Sequence, residues 1–209
     1  MTAAQADLPT DLHANSLEMP EGLRLDTPDV ADGAAIWRIA RDSKVLDLNS
    51  SYSYLLWCRD FAATSMVARD SNGEPAGFIT GYIRPERPRT LVVWQVAVDQ
   101  AHRGRGLAGA LLEGLTAKVA ADRELVSVET TITPDNAASQ RLFTSFAQRH
   151  GASVERTVLF DAGLFPDEGH LPEVLFLIEP IAQSVHDAQS GHKARTGNVA
   201  RTEPVEPLG

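Results

Sequence analysis

The chain is poor in the features that mark several large classes of protein. It has a single cysteine, Cys58, so no intramolecular disulfide can close and no cysteine-rich metal site can be built. Both fit a reducing, cytoplasmic compartment. No apolar run approaches the roughly 18 residues that a membrane span requires. There is no Lys or Arg before Arg24 and no apolar leader segment, so neither secretion nor membrane insertion is expected. Cations are in deficit, with 19 Lys and Arg against 28 Asp and Glu and a net charge of -9. That balance argues against nucleic acid as the main partner, because phosphate backbones are held by concentrated positive charge.

What is present suffices for one domain. The 209 residues are 43% hydrophobic and 22% charged, an ordinary globular composition. Residues 1–22 carry Asp7, Asp11, Glu18 and Glu21 without a cation and read as a disordered acidic tail. Residues 181–209 mix Gln, Ser, Gly, Thr and Pro with few large apolar side chains. That is too little apolar surface to offset the entropy of ordering, so a second disordered tail is expected. Between them, residues 23–180 have the size of a single domain.

Within that span the pattern predicts a strand at 23–25, then a helix announced by Thr27, Pro28 and Asp29 and striped by Ile36, Ile39 and Ala40. A second helix is predicted at 52–61, with Tyr54, Leu55, Leu56 and Cys58 available for burial. Strands at 65–69 and 76–83 flank the turn pair Asn72-Gly73, a hairpin signal. A strand at 91–99 leads to a helix at 106–119, where Leu107, Ala110, Leu111, Leu115 and Val119 recur with helical spacing. A strand at 125–131, a helix at 135–149 and strands near 152–160 and 173–178 complete the order βααβββαβαββ, a mixed α/β domain.

The most informative segment runs Val96-Ala97-Val98-Asp99-Gln100-Ala101-His102-Arg103-Gly104-Arg105-Gly106-Leu107-Ala108. A strand ends there in a basic, glycine-rich turn that opens into an amphipathic helix. The first N–H groups of a helix lack intrahelical acceptors, the helix dipole favours an anion beside them, and glycines let a phosphate approach the main chain. The spacing is neither GxxxxGK[ST] nor GxGxxG, which excludes the P-loop and the dinucleotide fingerprint. The competing explanation is a tight strand-to-helix turn bearing two solvated arginines.

Arg103, Gly106 and Ala108 instead spell RxxGxA. Here the chain resembles the GCN5-related N-acetyltransferase (GNAT) superfamily, whose strand, [QR]xxGx[GA] turn and helix hold the pyrophosphate of acetyl-CoA. The following strand and the run Asn136-Ala137-Ala138-Ser139-Gln140-Arg141-Leu142-Phe143 resemble that superfamily's second cofactor element. The resemblance implies an α/β (α+β) GNAT fold, a mixed and mostly antiparallel central sheet flanked by helices. It also implies acetyl-CoA as cosubstrate without a metal, contacted by Val96, Ala97, Val98, Arg103, Gly104, Arg105, Gly106, Leu107, Ala108, Asn136 and Ser139. Three longer blocks, 46–56, 93–99 and 129–136, resemble one family within it, the diaminobutyrate acetyltransferases of ectoine biosynthesis. That likeness implies acetyl transfer to the 4-amino group of L-2,4-diaminobutyrate in a homodimer. Acetylation of another diamino acid or small amine, or a catalytically silent CoA-binding regulatory domain, are the alternatives.

In such a transfer a neutral amine attacks the thioester directly, so the protein must align the two, stabilise the developing oxyanion and move protons. Many superfamily members place an acid on the strand corresponding to 91–99, yet this chain has Trp94-Gln95-Val96-Ala97-Val98 there. Glu129 is the expected replacement. In Val126-Ser127-Val128-Glu129-Thr130 it alternates away from the valines, and a carboxylate in an apolar strand is costly unless it has a use or a partner. It is read either as the base or as an anchor for the substrate ammonium. Phe143 stands where the superfamily often has a proton-donating Tyr, so either the thiolate leaves unassisted, which a reference thiol pKa of about 8.5 makes tolerable, or Tyr52 or a water supplies the proton. Asp47, Asn49, Ser51 and Tyr52 cluster where the superfamily builds acceptor specificity, although Asp47 and Ser51 are equally suited to helix capping. Trp94 is read as core or as an aromatic wall for an ammonium. His170, in a loop before the last strand, completes the acceptor set.

Overall fold

The computed structural model describes residues 19–166 and 169–181. Its strands are β1 (Arg24–Asp26), β2 (Met66–Arg69), β3 (Pro75–Ile83), β4 (Thr90–Val98), β5 (Ser127–Ile132), β6 (Ser153–Phe160) and β7 (Glu173–Glu179). Its helices are α1 (Gly33–Ser43), α2 (Ser51–Asp60), α3 (Leu107–Asp122) and α4 (Ala137–Arg149). The chain order is the one that periodicity predicts. The strands form one sheet in the order β1-β2-β3-β4-β5-β7-β6. Only β4 and β5 run parallel among the described pairs; every other neighbouring pair is antiparallel.

Two apolar layers hold the sheet. On one face Leu107, Leu111, Leu112 and Leu115 of α3 and Phe143 and Phe146 of α4 pack onto Ile79, Leu91, Val128, Phe176 and Ile178. On the other, Ile36, Ile39, Tyr54 and Cys58 of α1 and α2 pack onto Phe78 and Ala97. Helices thus cover both faces around β3 and β4. Phe143 is fully buried in the first layer, which accounts for an apolar ring at that position.

The start of α1 falls slightly later than its sequence signal. A 3-10 turn, Val30–Asp32, precedes it, and Asp29, not Thr27, caps that turn: its carboxylate accepts from Ala31 N–H, and Asp32 accepts from the Asp29 N–H in return. Asp32 also takes both terminal nitrogens of Arg69 at 2.7 Å, which fastens this turn to β2. The Thr27 hydroxyl instead accepts from Lys118 on α3.

The described residues extend a short way past 23 and 180 at both ends. Met19 packs on the larger core, and the Glu21 carbonyl accepts from Arg105. Ile181 is buried and its N–H donates to Val126. A few apolar side chains with well-placed backbone partners suffice to order these edges. The remainder of both expected tails lies outside the described residues.

One irregularity sets up everything that follows. The β3–β4 register slips between Thr80 and Gly81, pairing Thr80 with Gln95 but Gly81 with Val93, so Trp94 is the extra residue of a β-bulge. The parallel register with β5 runs through Thr90–Ser127, Leu91–Val128 and Val92–Glu129 and stops there. β4 continues to Val98 against β3, while β5 continues to Ile132 against β7. The two strands therefore part into a wedge, closed at Val92 and Glu129 and open toward the start of α3.

Candidate active site

The wedge opens onto the basic turn. Gly104 and Gly106 have φ of 75° and 78°, the left-handed region that costs a side-chain-bearing residue about 1–2 kcal/mol. A Cβ at either would meet no protein atom within 4 Å, so conformation rather than crowding requires glycine here, and the space beside the main chain is left clear for a ligand. Gly106 caps α3 with no side-chain bond to its first-turn N–H groups. Those donors and the positive end of the helix dipole face a common point, the arrangement that binds phosphate. Arg103 curls back so that its Nε donates to the Val98 carbonyl at 3.1 Å, while the rest of its exposed guanidinium faces solvent at the turn. The Arg105 guanidinium donates to the Glu21 carbonyl and lies 3.4 Å from His102 Nδ1. It secures the N-terminal segment to the turn, a contact with no local sequence signal.

Beyond Val92 the β5-facing edge of β4 carries Val96, Ala97 and Val98 for roughly 20 Å of extended main chain. A ligand with its own amides can lie along such an edge as an added strand. The second expected cofactor element is the start of α4. Asn136 caps α4 by accepting from the Ser139 N–H at 3.0 Å, so the Asn136 carbonyl oxygen and the Ser139 N–H satisfy each other. Leu107 is buried under the turn and Ala108 partly so, which makes Leu107 a packing residue.

The acceptor set converges from two loops. Asp47 lies between α1 and α2 and His170 between β6 and β7; Asp47 Oδ2 is 3.5 Å from His170 Nε2. Glu173, at the start of β7, joins them, with one ligating atom of each residue within 4.8 Å of the others. That grouping suits a small cation, either a metal ion or an alkylammonium. Phe165 stacks on His170 with centroids 3.6 Å apart. His170 Nδ1 is 2.6 Å from the Leu171 carbonyl, which can only accept, so Nδ1 carries the proton and Nε2 is the titrating atom. The Leu171 bond first, and then Asp47, outweigh desolvation and raise the imidazole above its usual pKa.

The capping explanation for Asp47 and Ser51 does not hold: Ser50 caps α2, accepting from Ser53 N–H. Asn49 lies beside the Tyr54 hydroxyl. Ser51 and Tyr52 form the exposed first turn of α2. Trp94 is not core. The bulge leaves it 50% exposed, with its ring stacked at 24° and 6.2 Å on Trp57 of α2, which itself packs on Phe61 and Tyr82.

Glu129 departs from the expectation of an available carboxylate. It is 2% exposed, and each oxygen is taken by a guanidinium from the β3–β4 loop: Arg84 Nη1 donates to Oε2 at 2.6 Å and Arg87 Nη1 to Oε1 at 3.0 Å. A buried carboxylate must be paired, and Arg84, Arg87 and Arg89 in the sequence of that loop were the available signal. Gln95, Tyr54, Trp57, Glu173 and Phe165 were the other residues missed. Gln95 could have been singled out as a polar residue in an apolar strand; the rest have no distinguishing local pattern.

Residues 34–147 match the profile of the Acetyltransferase (GNAT) family. The chain is 71% identical over 182 residues to the L-2,4-diaminobutyric acid acetyltransferase of Streptomyces anulatus, covering 87% of this chain and 99% of that protein. It is 68% identical over 182 residues to the protein of the same name from Streptomyces avermitilis, with the same coverage. Among solved structures, it resembles the diaminobutyrate acetyltransferase EctA from Paenibacillus lautus, in complex with its substrate L-2,4-diaminobutyric acid and coenzyme A. The TM-score is 0.72 and the identity 38%, over 80% of this chain and 99% of that one.

Proposed function

The chain belongs to the acetyltransferase (GNAT) family, and from that premise we propose that it transfers the acetyl group of acetyl-CoA to the 4-amino group of L-2,4-diaminobutyrate, yielding N4-acetyl-L-2,4-diaminobutyrate. The observation that carries this reading is identity of 68–71% along almost the whole length of relatives named for that acceptor. The paired cation-binding loops at the wedge agree with a diamine acceptor.

The turn at 103–108 holds the pyrophosphate through its N–H groups, with Arg103 beside it. The edge of β4 from Val96 to Val98 takes the amides of the pantetheine arm. The bound cosubstrate supplies an activated thioester: the amine nitrogen forms the new bond to the acyl carbon, the carbon–sulfur bond breaks, and thiolate leaves. Asp47 and Glu173 hold ammonium charge, and Trp94 offers an aromatic face to it. His170 Nε2 receives the amine's proton, because its partner nitrogen is already committed to the Leu171 carbonyl. Tyr52 is the candidate donor to the thiolate. Glu129 serves by position: bound to Arg84 and Arg87, it pins the β3–β4 loop at the last rung before the strands part.

The reaction belongs to ectoine biosynthesis and takes place in the cytoplasm, readings supported by the three sequence blocks and by a lone, buried, unpaired Cys58. The enzyme works as a homodimer. The edge strand β6 and its following loop support this, since they leave Val158, Phe160, Leu164 and Leu171 exposed. The deciding experiment is free-thiol release from acetyl-CoA with diaminobutyrate, ornithine, lysine and polyamines as acceptors. A kcat/KM highest for diaminobutyrate supports the assignment, whereas equal or better turnover of another acceptor overturns it. Light scattering at micromolar concentration tests the dimer.

A further inference from the structure

The acceptor carboxylate Asp47 sits on a loop, and its side chain is 84% exposed. A specific pocket needs that loop held still. Behind it lies a buried polar chain. Gln95 on β4 is 7% exposed, and its Nε2 donates to the Asp47 carbonyl at 2.8 Å. Its Oε1 accepts from the Tyr54 hydroxyl at 3.0 Å. The Tyr54 ring is fully buried, edge-on to Phe78, and Asn49, two residues beyond Asp47, lies beside its hydroxyl. The amide thus spends a donor on the loop and an acceptor on α2, so sheet, helix and loop meet at one side chain.

Resting on the acceptor-site reading above, we propose that Gln95 is a positioning residue, which through Tyr54 and the Asp47 carbonyl fixes the 44–50 loop so that the Asp47 carboxylate meets His170 and receives the acceptor's ammonium.

The chemistry of this position distinguishes an anchor from a filler. Gln95 must donate to one neighbour and accept from another. A carboxylate of the same length accepts from Tyr54 but has no proton for the Asp47 carbonyl. A protonated carboxylic acid has both functions. Gln95→Glu therefore makes the anchor depend on protonation, which no requirement for shape alone would do. The titratable and charged groups on the elements packed there include Tyr54 and Cys58 on α2, Asp47, His170 and Glu173 around the two loops and Tyr82 on β3, with Tyr52, Arg59 and Asp60 elsewhere on α2 and Arg38, Arg41 and Asp42 on α1. The wild type and the variant share all of them, so the ratio of their activities isolates position 95.

The test compares wild type, Gln95→Glu and Tyr54→Phe between pH 6 and 9, reading kcat and both KM values, with folding checked by circular dichroism and melting. Tyr54→Phe keeps the buried ring and removes one hydrogen bond. It should raise the KM for diaminobutyrate about three- to tenfold, the scale of one net hydrogen bond, with the KM for acetyl-CoA unchanged. For Gln95→Glu, kcat/KM for diaminobutyrate relative to wild type should approach one at pH 6 and fall about tenfold or more by pH 9. Hydrogen exchange of the 46–50 amides should rise over the same pH interval in that variant alone. A pH-independent ratio, an equal change in the KM for acetyl-CoA, or a wild-type diaminobutyrate KM in Tyr54→Phe overturns the proposal. If Gln95→Glu does not fold, Tyr54→Phe decides it. Should the wild type fail to acetylate diaminobutyrate, the functional reading falls; loop exchange then judges the anchor by itself, and exchange that does not vary with pH overturns it.

Discussion

Gly106 and Gly73 have nearly the same backbone conformation, φ 78° and 86°, and an added Cβ meets no protein atom within 4 Å at either. One lies in the proposed phosphate turn and the other in the β2–β3 hairpin, so they form a matched pair. A valine in the left-handed region costs at least about 1–2 kcal/mol. In a domain of this size that lowers Tm by roughly 3–8 °C, and Gly106→Val and Gly73→Val should share the loss. They should differ in cofactor affinity. At Gly106 the side chain projects into the open space that a pyrophosphate must enter, and if the turn relaxes instead, the first N–H groups of α3 swing out of convergence. Loss of even one charge-assisted hydrogen bond, about 1.5–3 kcal/mol, raises the KM for acetyl-CoA about tenfold to a hundredfold. Differential scanning fluorimetry and steady-state thiol release read the two effects separately. Equal acetyl-CoA KM values in two folded variants of similarly lowered Tm would remove the turn from the cofactor site.

Asp32→Ala removes the two bonds of 2.7 Å to the terminal nitrogens of Arg69 and leaves Asp26 and the Gly73 carbonyl as its partners, so urea unfolding should show a loss of about 1.5–3 kcal/mol, the worth of bonding a charged group; a loss below about 0.5 kcal/mol would mean that the clasp is solvated. Burial first, then the charges of Asp32 and Asp29, push the Cys58 thiol up to about 11, so a thiol reagent should label it only after unfolding, and rapid labelling of the folded protein would contradict the packing of α2. Burial raises the pKa of Glu113, but bonds from His150 and Arg149 outweigh it and the net shift is downward. A carboxylate depressed in the folded state stabilises above its unfolded pKa and loses that contribution as pH falls through its folded one; Glu113→Gln should therefore lower stability at neutral pH and flatten its decline in acid, and parallel acid limbs would refute the linkage. Glu129→Gln, if Glu129 acts by position, should lower activity by a factor that does not vary with pH and should be non-additive with Arg84→Ala. A loss rescued as pH rises would restore Glu129 as the base.

Element order was legible because it depends on short-range pattern. The stripe of Ile36, Ile39 and Ala40 and the Asn72-Gly73 turn act within a few residues of themselves, and the structure places α1 and the β2–β3 hairpin at them. The glycine turn was legible for a similar reason: what it needs is a backbone conformation, and Gly104 and Gly106 advertise it. The wedge was not. Leu91 to Val98 is nearly unbroken apolar sequence, and period-two alternation does not reveal that Trp94 is the residue left out of register. That single slip decides whether a tryptophan is buried or half-exposed, and no composition rule selects it.

The acceptor site was half legible, and the division has a physical basis. Asp47, Tyr52, Trp94 and His170 could be named as candidates because unusual side chains in loops and at strand ends ask for a use. Their arrangement could not be deduced, because Asp47 and His170 lie 123 residues apart in the chain and meet only when two loops fold over the same wedge. Glu129 shows the same gap from the other side. Its burial demands a partner, and the partners are arginines of one connecting loop more than forty residues away in the chain. A buried charge is first a structural obligation: Arg84 and Arg87 discharge it within the protein. His170 Nε2 faces the exposed Asp47 carboxylate at 3.5 Å, with Glu173 beside both. On the proposed function, proton transfer falls to that imidazole, while the strand carboxylate stays committed to the arginines of the β3–β4 loop.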